Sequence, residues 1–468
     1  MLSYHLTVGL VPIRRDVTPR PGIFNWEKAE LRGRAIVDYI EKNFTDSLTT
    51  FLDLSDLNSE ALLITEADAE KVADRFRAAG CDAIVLINCN FGNEEAAGLL
   101  AHALSLPTLL WAPLDDEFTP EGMRYTDSQC GIFGMSRMLQ RMNTPFTFLE
   151  TCRVDSEIFR EGFLSFLGTA CMVKNFRGRH DRGLRVIQVG SRPKPFCSVV
   201  VNEGELMQRF NTHIIPVNMG LALKRYDAIL ADRAAELAPI VDEIRGKFAI
   251  DDKTAPKLEK IAAFVLLYEE LLKEYDADVI SSECWTSFLP TREAVPCTAF
   301  SILADRGIII ACESDIHGAI TMALMSCAVR GKKRPFFGEF TVRHPEDRNV
   351  ELLWHCGPFA HSLKAADSEA SVVDMRAWFR VKDGEYTVAR IDQEDGKYSV
   401  LNGTCTADRG PKTFGTHLWA RFHDLPAWER KLVEGPYIHH CVEIEGDVTQ
   451  NIAEFCKYVP ALRNDRMA

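Results

Sequence analysis

Two acids stand two positions apart in Ala311-Cys312-Glu313-Ser314-Asp315-Ile316-His317-Gly318-Ala319, directly after the apolar run Ile308-Ile309-Ile310. A short, all-apolar run of this kind reads as a buried parallel strand. In open α/β sheets, ligands gather outside the carboxyl ends of strands. A strand that leaves the dry core at two carboxylates therefore offers metal ligation or proton transfer. The same residues also fit a helix N-cap, with Ser314 or Asp315 capping the pattern that starts at Ala319. The fragment alone does not choose between the two. A second apolar run ends at an acid in Ala277-Asp278-Val279-Ile280-Ser281-Ser282-Glu283-Cys284-Trp285. If both strands lie in one sheet, Glu283 and Asp315 reach one crevice.

Histidine placement adds the matching donor type. Eight of the 12 histidines fall between His317 and His440, and the pair His439-His440 opens the apolar strand pattern Cys441-Val442-Glu443-Ile444. Neutral imidazole and carboxylate are natural ligands of a divalent cation such as Mn2+. His439 or His440, added to the two acids, would complete a mixed oxygen and nitrogen site at a domain interface, where pockets are common. The competing reading is a surface pair, and most surface histidine pairs bind nothing. Near the N-terminus, Val8 to Val11 reads as a strand that runs through Pro12-Ile13 into Arg14-Arg15-Asp16. Strand-end arginines suit a phosphate, a sulfonate or sugar hydroxyls, or form a solvated pair. No Walker-type lysine loop, G-x-G-x-x-G or G-x-S-x-G is present, so nucleotide binding and serine-hydrolase chemistry lack their fingerprints.

The elements that must position these residues follow from periodicity. Strand-like His5–Val11, helical Trp26–Phe44 and Glu66–Ala79, the strand 83–87, helical Asn93–Leu104 and the strand 108–111 alternate. That rhythm predicts a parallel sheet with helices on both faces. Ile158–Phe176 reads as a helix, and the polar run 177–183 as a boundary. A second α/β unit follows, with strands at 184–189, 277–281 and 307–312 and long helices near 218–246 and 254–275. Beyond Gly331, alternating stretches such as 337–343 and 386–391 are separated by turns such as Lys382-Asp383-Gly384, which predicts an antiparallel sheet or barrel. The predicted architecture is α/β: two Rossmann-like parallel-sheet domains, 1–178 and 179–330, then a β-rich, barrel-like domain, 331–468.

A length of 468 residues exceeds what one hydrophobic core usually serves. The net charge of −13 argues against nucleic acid as the main partner. No apolar run reaches membrane-spanning length, and no secretory pattern opens the chain, so a cytoplasmic protein is expected. The 14 cysteines include no C-x-x-C pair, and several adjoin apolar runs, where a free thiol packs as a small hydrophobe.

Taken together, Ser282-Glu283-Cys284-Trp285, Ala311-Cys312-Glu313-Ser314-Asp315 with Gly318-Ala319, Ile438-His439-His440 and the order of domains resemble the L-fucose isomerase / L-arabinose isomerase superfamily. The chain looks like its broader fucose isomerase-like branch. The resemblance implies aldose–ketose isomerisation of a monosaccharide through an ene-diol, on Mn2+ or another divalent cation such as Mg2+ or Co2+. It implies Glu283, Asp315 and His440 as metal ligands, with Glu283 and Asp315 also serving as acid and base and Glu313 supporting a ligand. Gly338-Glu339-Phe340-Thr341 has no histidine where the arabinose branch has a further ligand, and His355 is expected to touch substrate. A homo-oligomer, trimer or hexamer, is implied, with a neighbour's N-terminal domain closing the pocket. That gives Arg14 and Arg15 a role as substrate readers, beside Trp285 and His439. The resemblance admits a deoxy, neutral, sulfonated or phosphorylated sugar. The competing expectations are a non-catalytic sugar-binding protein and a metal-dependent epimerase or lyase.

Overall fold

The computed structural model describes residues 1–19, 24–115, 118–177 and 182–467. The boundary expected at 178/179 lies outside the described residues. The chain separates into two compact units, Ser3–Lys174 and Asn175–Ala468 with Met1–Leu2.

The first unit is built on a five-stranded parallel sheet in the order Thr49–Leu52, Leu6–Arg14, Ala83–Asn90, Thr108–Pro113, Thr147–Cys152. Ala83–Asn90 and Thr108–Pro113 are buried along their whole length, which is why they read as unbroken apolar runs. Helix Trp26–Phe44 is capped by Asn25, and Glu66–Ala78 by a reciprocal box between Thr65 and Asp68.

The second unit holds a four-stranded parallel sheet in the order Ile310–Cys312, Val279–Ser282, Leu184–Val189, Thr212–Val217. It also holds a closed antiparallel barrel. Six strands run round it: Phe336–Arg343, Val350–His355, Thr416–Phe422, Lys397–Asp408, Glu385–Glu394 and His440–Glu445, which pairs back to the first. Further strands, among them Arg376–Arg380 and Leu462–Arg466, extend it. Between sheet and barrel lies helix Ile316–Ala328, apolar on every side and buried at every residue, as a helix covered all round must be.

Both expected parallel sheets and the β-rich C-terminal part are present. Three strands that periodicity does not mark, Thr49–Leu52, Thr147–Cys152 and Thr212–Val217, are edge strands with partly exposed side chains. Thr212–Val217 even contains Pro216, tolerated because an edge strand needs fewer ladder bonds. The expected long helix near 218–246 is two, Met219–Asp232 and Ala234–Lys247, divided at Arg233, whose guanidinium is held by Glu236 and Glu270. Among the described residues no helix is long and apolar enough to cross a membrane. All 14 cysteines are free thiols.

Candidate metal centre

Strand Ile310–Cys312 pairs with Val279–Ser282 so that Cys312 lies opposite Ser282. Glu313 and Glu283 therefore leave the sheet side by side. The chain then turns sharply, with Glu313 at φ 63° and Ser314 at φ 55°. Two successive non-glycine residues in the left-handed region are sterically costly, a pattern that clusters at functional sites. Asp315 next caps helix Ile316–Ala328, its Oδ1 accepting from the Gly318 N–H at 2.8 Å. A Cβ at Gly318 would sit 2.3 Å from the Phe337 ring, so the helix start lies hard against the barrel strand that carries Glu339.

Glu339 lies in that strand directly between Trp354 and His440 of its two neighbours. His355 closes the strand Val350–His355, and His440 opens its own. One carboxylate from the sheet thus meets one carboxylate and two imidazoles from the barrel. Ligand-type atoms of Glu313, Glu339 and His355 all lie within 4.8 Å of one another. His355 Nε2 is 3.5 Å from Glu339 Oε1, and His440 Nε2 is 3.1 Å from Glu313 Oε2. Yet Glu313 Oε2, His355 Nε2 and His440 Nε2 are buried without an aligned hydrogen-bond partner. Unsatisfied buried polar atoms are expensive and rare. These three atoms, from one carboxylate and two imidazoles, lie beside the Glu339 carboxylate, and such a mixed donor set suits a divalent cation.

The surroundings hold this group in place. His440 Nδ1 lies 2.8 Å from Asp315 Oδ2, the same oxygen that accepts from the buried Arg390. Arg390 in turn donates to Asp392, at 3.0 Å from Nη2, and Asp392 lies 3.2 Å from His317 Nδ1. A carboxylate behind a histidine fixes its tautomer and ring orientation. Burial works against ionisation of Asp315, but Arg390 and His440 outweigh it and hold the carboxyl well below its usual range. Burial likewise opposes the His440 imidazolium, and Asp315 and Glu313 overcome it, carrying the pKa up to about 9. Glu313 is resisted by burial and then lowered by His440 and His355. Glu339 is pushed by burial up to about 7, with Glu313 adding to the rise. Burial brings His355 down to about 4.

Glu313, Glu339 and His355 open on a cavity of about 210 Å³ whose walls include Trp285, Trp354, Leu289 and Arg376. Of the residues expected from sequence, Trp285 and His355 line it. Asp315 and His440 are neighbours, but both Asp315 oxygens are engaged, one by its helix and one by His440 and Arg390. Glu283 accepts from the Thr286 N–H, from Thr286 Oγ1 at 2.9 Å and from Ser287 Oγ, so its carboxylate is spent on its own turn. Glu283 and Asp315 are thus not in the group whose ligand atoms converge. His439 is half-buried, its ring 4.4 Å from that of His440, and it lines a neighbouring groove with Phe340 and Leu432. Arg14 is held by both Glu60 oxygens at 2.6 Å, and Arg15 by Glu94 at 2.6 Å with its guanidinium over the Phe91 ring, all within the first unit. The sequence does not mark Glu339 as a ligand, because the resemblance leads one to expect a histidine at that place. The available signal was an acid closing the buried apolar run Phe336-Phe337-Gly338.

Residues 9–177 match the family model described as the fucose/sulfoquinovose isomerase N-terminal domain. The chain is also similar to a sulfoquinovose isomerase of Alkalicoccus urumqiensis, 25% identical over 382 residues that cover 80% of this chain and 83% of that protein. A sulfoquinovose isomerase of Priestia aryabhattai is 22% identical over 459 residues, 96% of each chain.

Proposed function

This chain is a member of the L-fucose/L-arabinose isomerase superfamily, and from that premise we propose that it interconverts an aldose and its ketose at a divalent cation. Glu313, Glu339 and His355 would hold the cation, with His440 as the further nitrogen on the Glu313 side. The observation that carries this reading is the convergence of ligand atoms of Glu313, Glu339 and His355 at one cavity, with His440 Nε2 3.1 Å from Glu313 Oε2. In this division of labour, the region 179–330 supplies Glu313 and the region 331–468 supplies Glu339, His355 and His440. Asp315 orients His440 rather than meeting the cation, and Glu283 holds the turn that brings Trp285 to the cavity wall.

Moving a carbonyl from C1 to C2 takes a proton from C2 and returns it to C1, while negative charge builds on the flanking oxygens. A bound divalent cation supplies Lewis-acid stabilisation of that charge. The chain must supply a group that gives and takes the proton near neutral pH. Glu313 and Glu339 face the same cavity and are the carboxyls placed to exchange that proton. Trp285, Trp354 and Leu289 provide apolar surface for the sugar and limit water around the reacting carbons. The relatives' names point to sulfoquinovose, a hexose bearing a sulfonate at C6, as the substrate class. The superfamily resemblance adds Mn2+ as the leading candidate for the cation and a homo-oligomer as the working form.

The test incubates the purified protein with sulfoquinovose in D2O and follows ketose formation and deuterium entry by NMR. Isomerisation that stops with chelator and returns with Mn2+ is expected, together with loss in Glu313→Gln. Undiminished turnover in both conditions would overturn the reading. Inversion at C2 without ketose would identify an epimerase instead.

A further inference from the structure

The isomerase reading accounts for the end of the cavity that meets C1 and C2 and leaves the recognition of the other end of the sugar unassigned. We propose that Arg376 reads an anionic sulfonate on the substrate and thereby selects a sulfonated sugar over its neutral counterpart. The proposal rests on the isomerase reading of the same cavity.

Arg376 is the sole arginine or lysine among the described residues lining the cavity that holds Glu313, Glu339 and His355. Its backbone is fixed from three sides. It follows directly on a two-residue turn, Asp374 at φ 48° and Met375 at φ 65°, that closes the hairpin of Ser371–Val373 with Arg376–Arg380. The Met375 carbonyl accepts from Thr298 Oγ1 at 2.9 Å, and its N–H donates to Thr254 Oγ1 at 3.1 Å. Gly357, at φ 146°, lies two residues beyond His355. A Cβ there would come within 2.6 Å of the Ala377 nitrogen and 3.3 Å of the Arg376 carbonyl carbon. The arginine is thus anchored against the turn that follows a proposed cation ligand.

The guanidinium itself is largely uncommitted. Its hydrogen bonds to described residues both leave from Nη1, to the Asp374 carbonyl at 3.1 Å and to Asp374 Oδ2 at 2.9 Å. Asp374 is 56% exposed, so water competes for that carboxylate, and the Arg376 side chain is itself 27% exposed. Nε and Nη2 remain available. A sulfonate is a monoanion with three acceptor oxygens and no proton to give, so it needs donors only. Arg presents them as a planar fork. Glu313 and Glu339 repel an anion, whereas C6 lies at the far end of a hexose from C1 and C2. A sugar turned with C1 and C2 toward the carboxylates therefore carries its sulfonate away from them. A neutral sugar in the same place leaves the arginine without its partner, the condition under which polar sites discriminate most strongly.

The experiment compares sulfoquinovose with quinovose, the same sugar lacking the sulfonate, in the full-length protein and in Arg376→Gln and Arg376→Lys. The readouts are the ratio of kcat/KM values and, separately, calorimetric binding of sulfoquinovose. Charge-assisted hydrogen bonds predict that Arg376→Gln lowers the sulfonated-to-neutral ratio by about 10- to 100-fold, mainly through KM, and weakens binding to a similar degree. Arg376→Lys keeps the charge but not the fork, and should recover part of both. An unchanged ratio with unchanged binding overturns the proposal, as does an equal loss on both sugars, which would mark a structural role. If the wild type isomerises both sugars and Arg376→Gln keeps the ratio, the arginine's role fails and the isomerase reading stands. If the wild type binds sulfoquinovose through Arg376 but converts neither sugar, the isomerase reading fails and the arginine's role stands. Absence of binding and turnover in the wild type overturns both.

Discussion

Glu283 and Glu313 leave the same parallel sheet from adjacent strands, one step beyond the paired residues Ser282 and Cys312. Both are buried, yet they end in opposite conditions. Three short-range donors from Thr286 and Ser287 saturate Glu283. Glu313 turns through two left-handed residues and leaves Oε2 without an aligned partner, facing His440 across 3.1 Å. The difference lies in the residues that follow. Thr-Ser three and four positions on fold back onto an acid, as hydroxyl residues do at turns. Ser-Asp-Ile-His-Gly instead hands the capping duty to Asp315 and leaves Glu313 free. An acid becomes available for chemistry when a neighbour takes over its structural work.

The largest effect expected from this comparison is in Glu313→Gln, which should lose about 10³-fold in kcat/KM for aldose conversion, equivalent to roughly 4 kcal/mol. Steady-state assays with added Mn2+ check it. Wild-type rates in this variant would remove the contrast. Next, Arg390→Met strands the buried Asp315 carboxylate without its cation and should cost about 3–5 kcal/mol in denaturant unfolding. An unaltered midpoint would show that His440 alone suffices. Glu283→Gln should be milder, about 1–2 kcal/mol of stability through weakened hydrogen bonds to Thr286 and Ser287, with kcat/KM within a few-fold of wild type. A collapse in activity at full stability would return Glu283 to the chemistry.

The smallest effect concerns a third buried acid, Glu443, which faces the Cys441 thiol at 2.8 Å and has no cationic partner among the described residues. Burial pushes its carboxyl up to about 8 from an ordinary 4.5. Between these values the unfolded chain has released a proton that the folded chain retains. Stability therefore falls as pH rises through that window and levels off above it. Glu443→Gln should raise the melting temperature at pH 8 more than at pH 5. An equal shift at both would mean that the group is ionised in the fold.

Much of this architecture is legible in the chain. The strands buried on both faces announce themselves as apolar runs, and the helices as stripes with caps. The edge strands Thr49–Leu52, Thr147–Cys152 and Thr212–Val217 do not, because half-exposed strands mix polar residues into the pattern. The site is legible to the level of region and donor type. Strand-end acids, a late cluster of histidines and the pair at 439–440 locate the chemistry. The identity of each donor is not, since Glu313 and Asp315 look alike in sequence and differ by which oxygen already has a partner.

By itself, then, the sequence determined two parallel sheets, a β-rich C-terminal part and acids at the ends of buried strands, all properties carried by local periodicity and residue type. Only the tertiary structure decided that Asp315 serves Arg390 and His440, that Glu283 serves its own turn, and that Glu313 meets Glu339 and His355. Hydrogen-bond saturation is a property of neighbours brought together by folding, here a sheet and a barrel packed on one buried helix, and a linear pattern does not encode which of two nearby carboxylates those neighbours will leave unsatisfied.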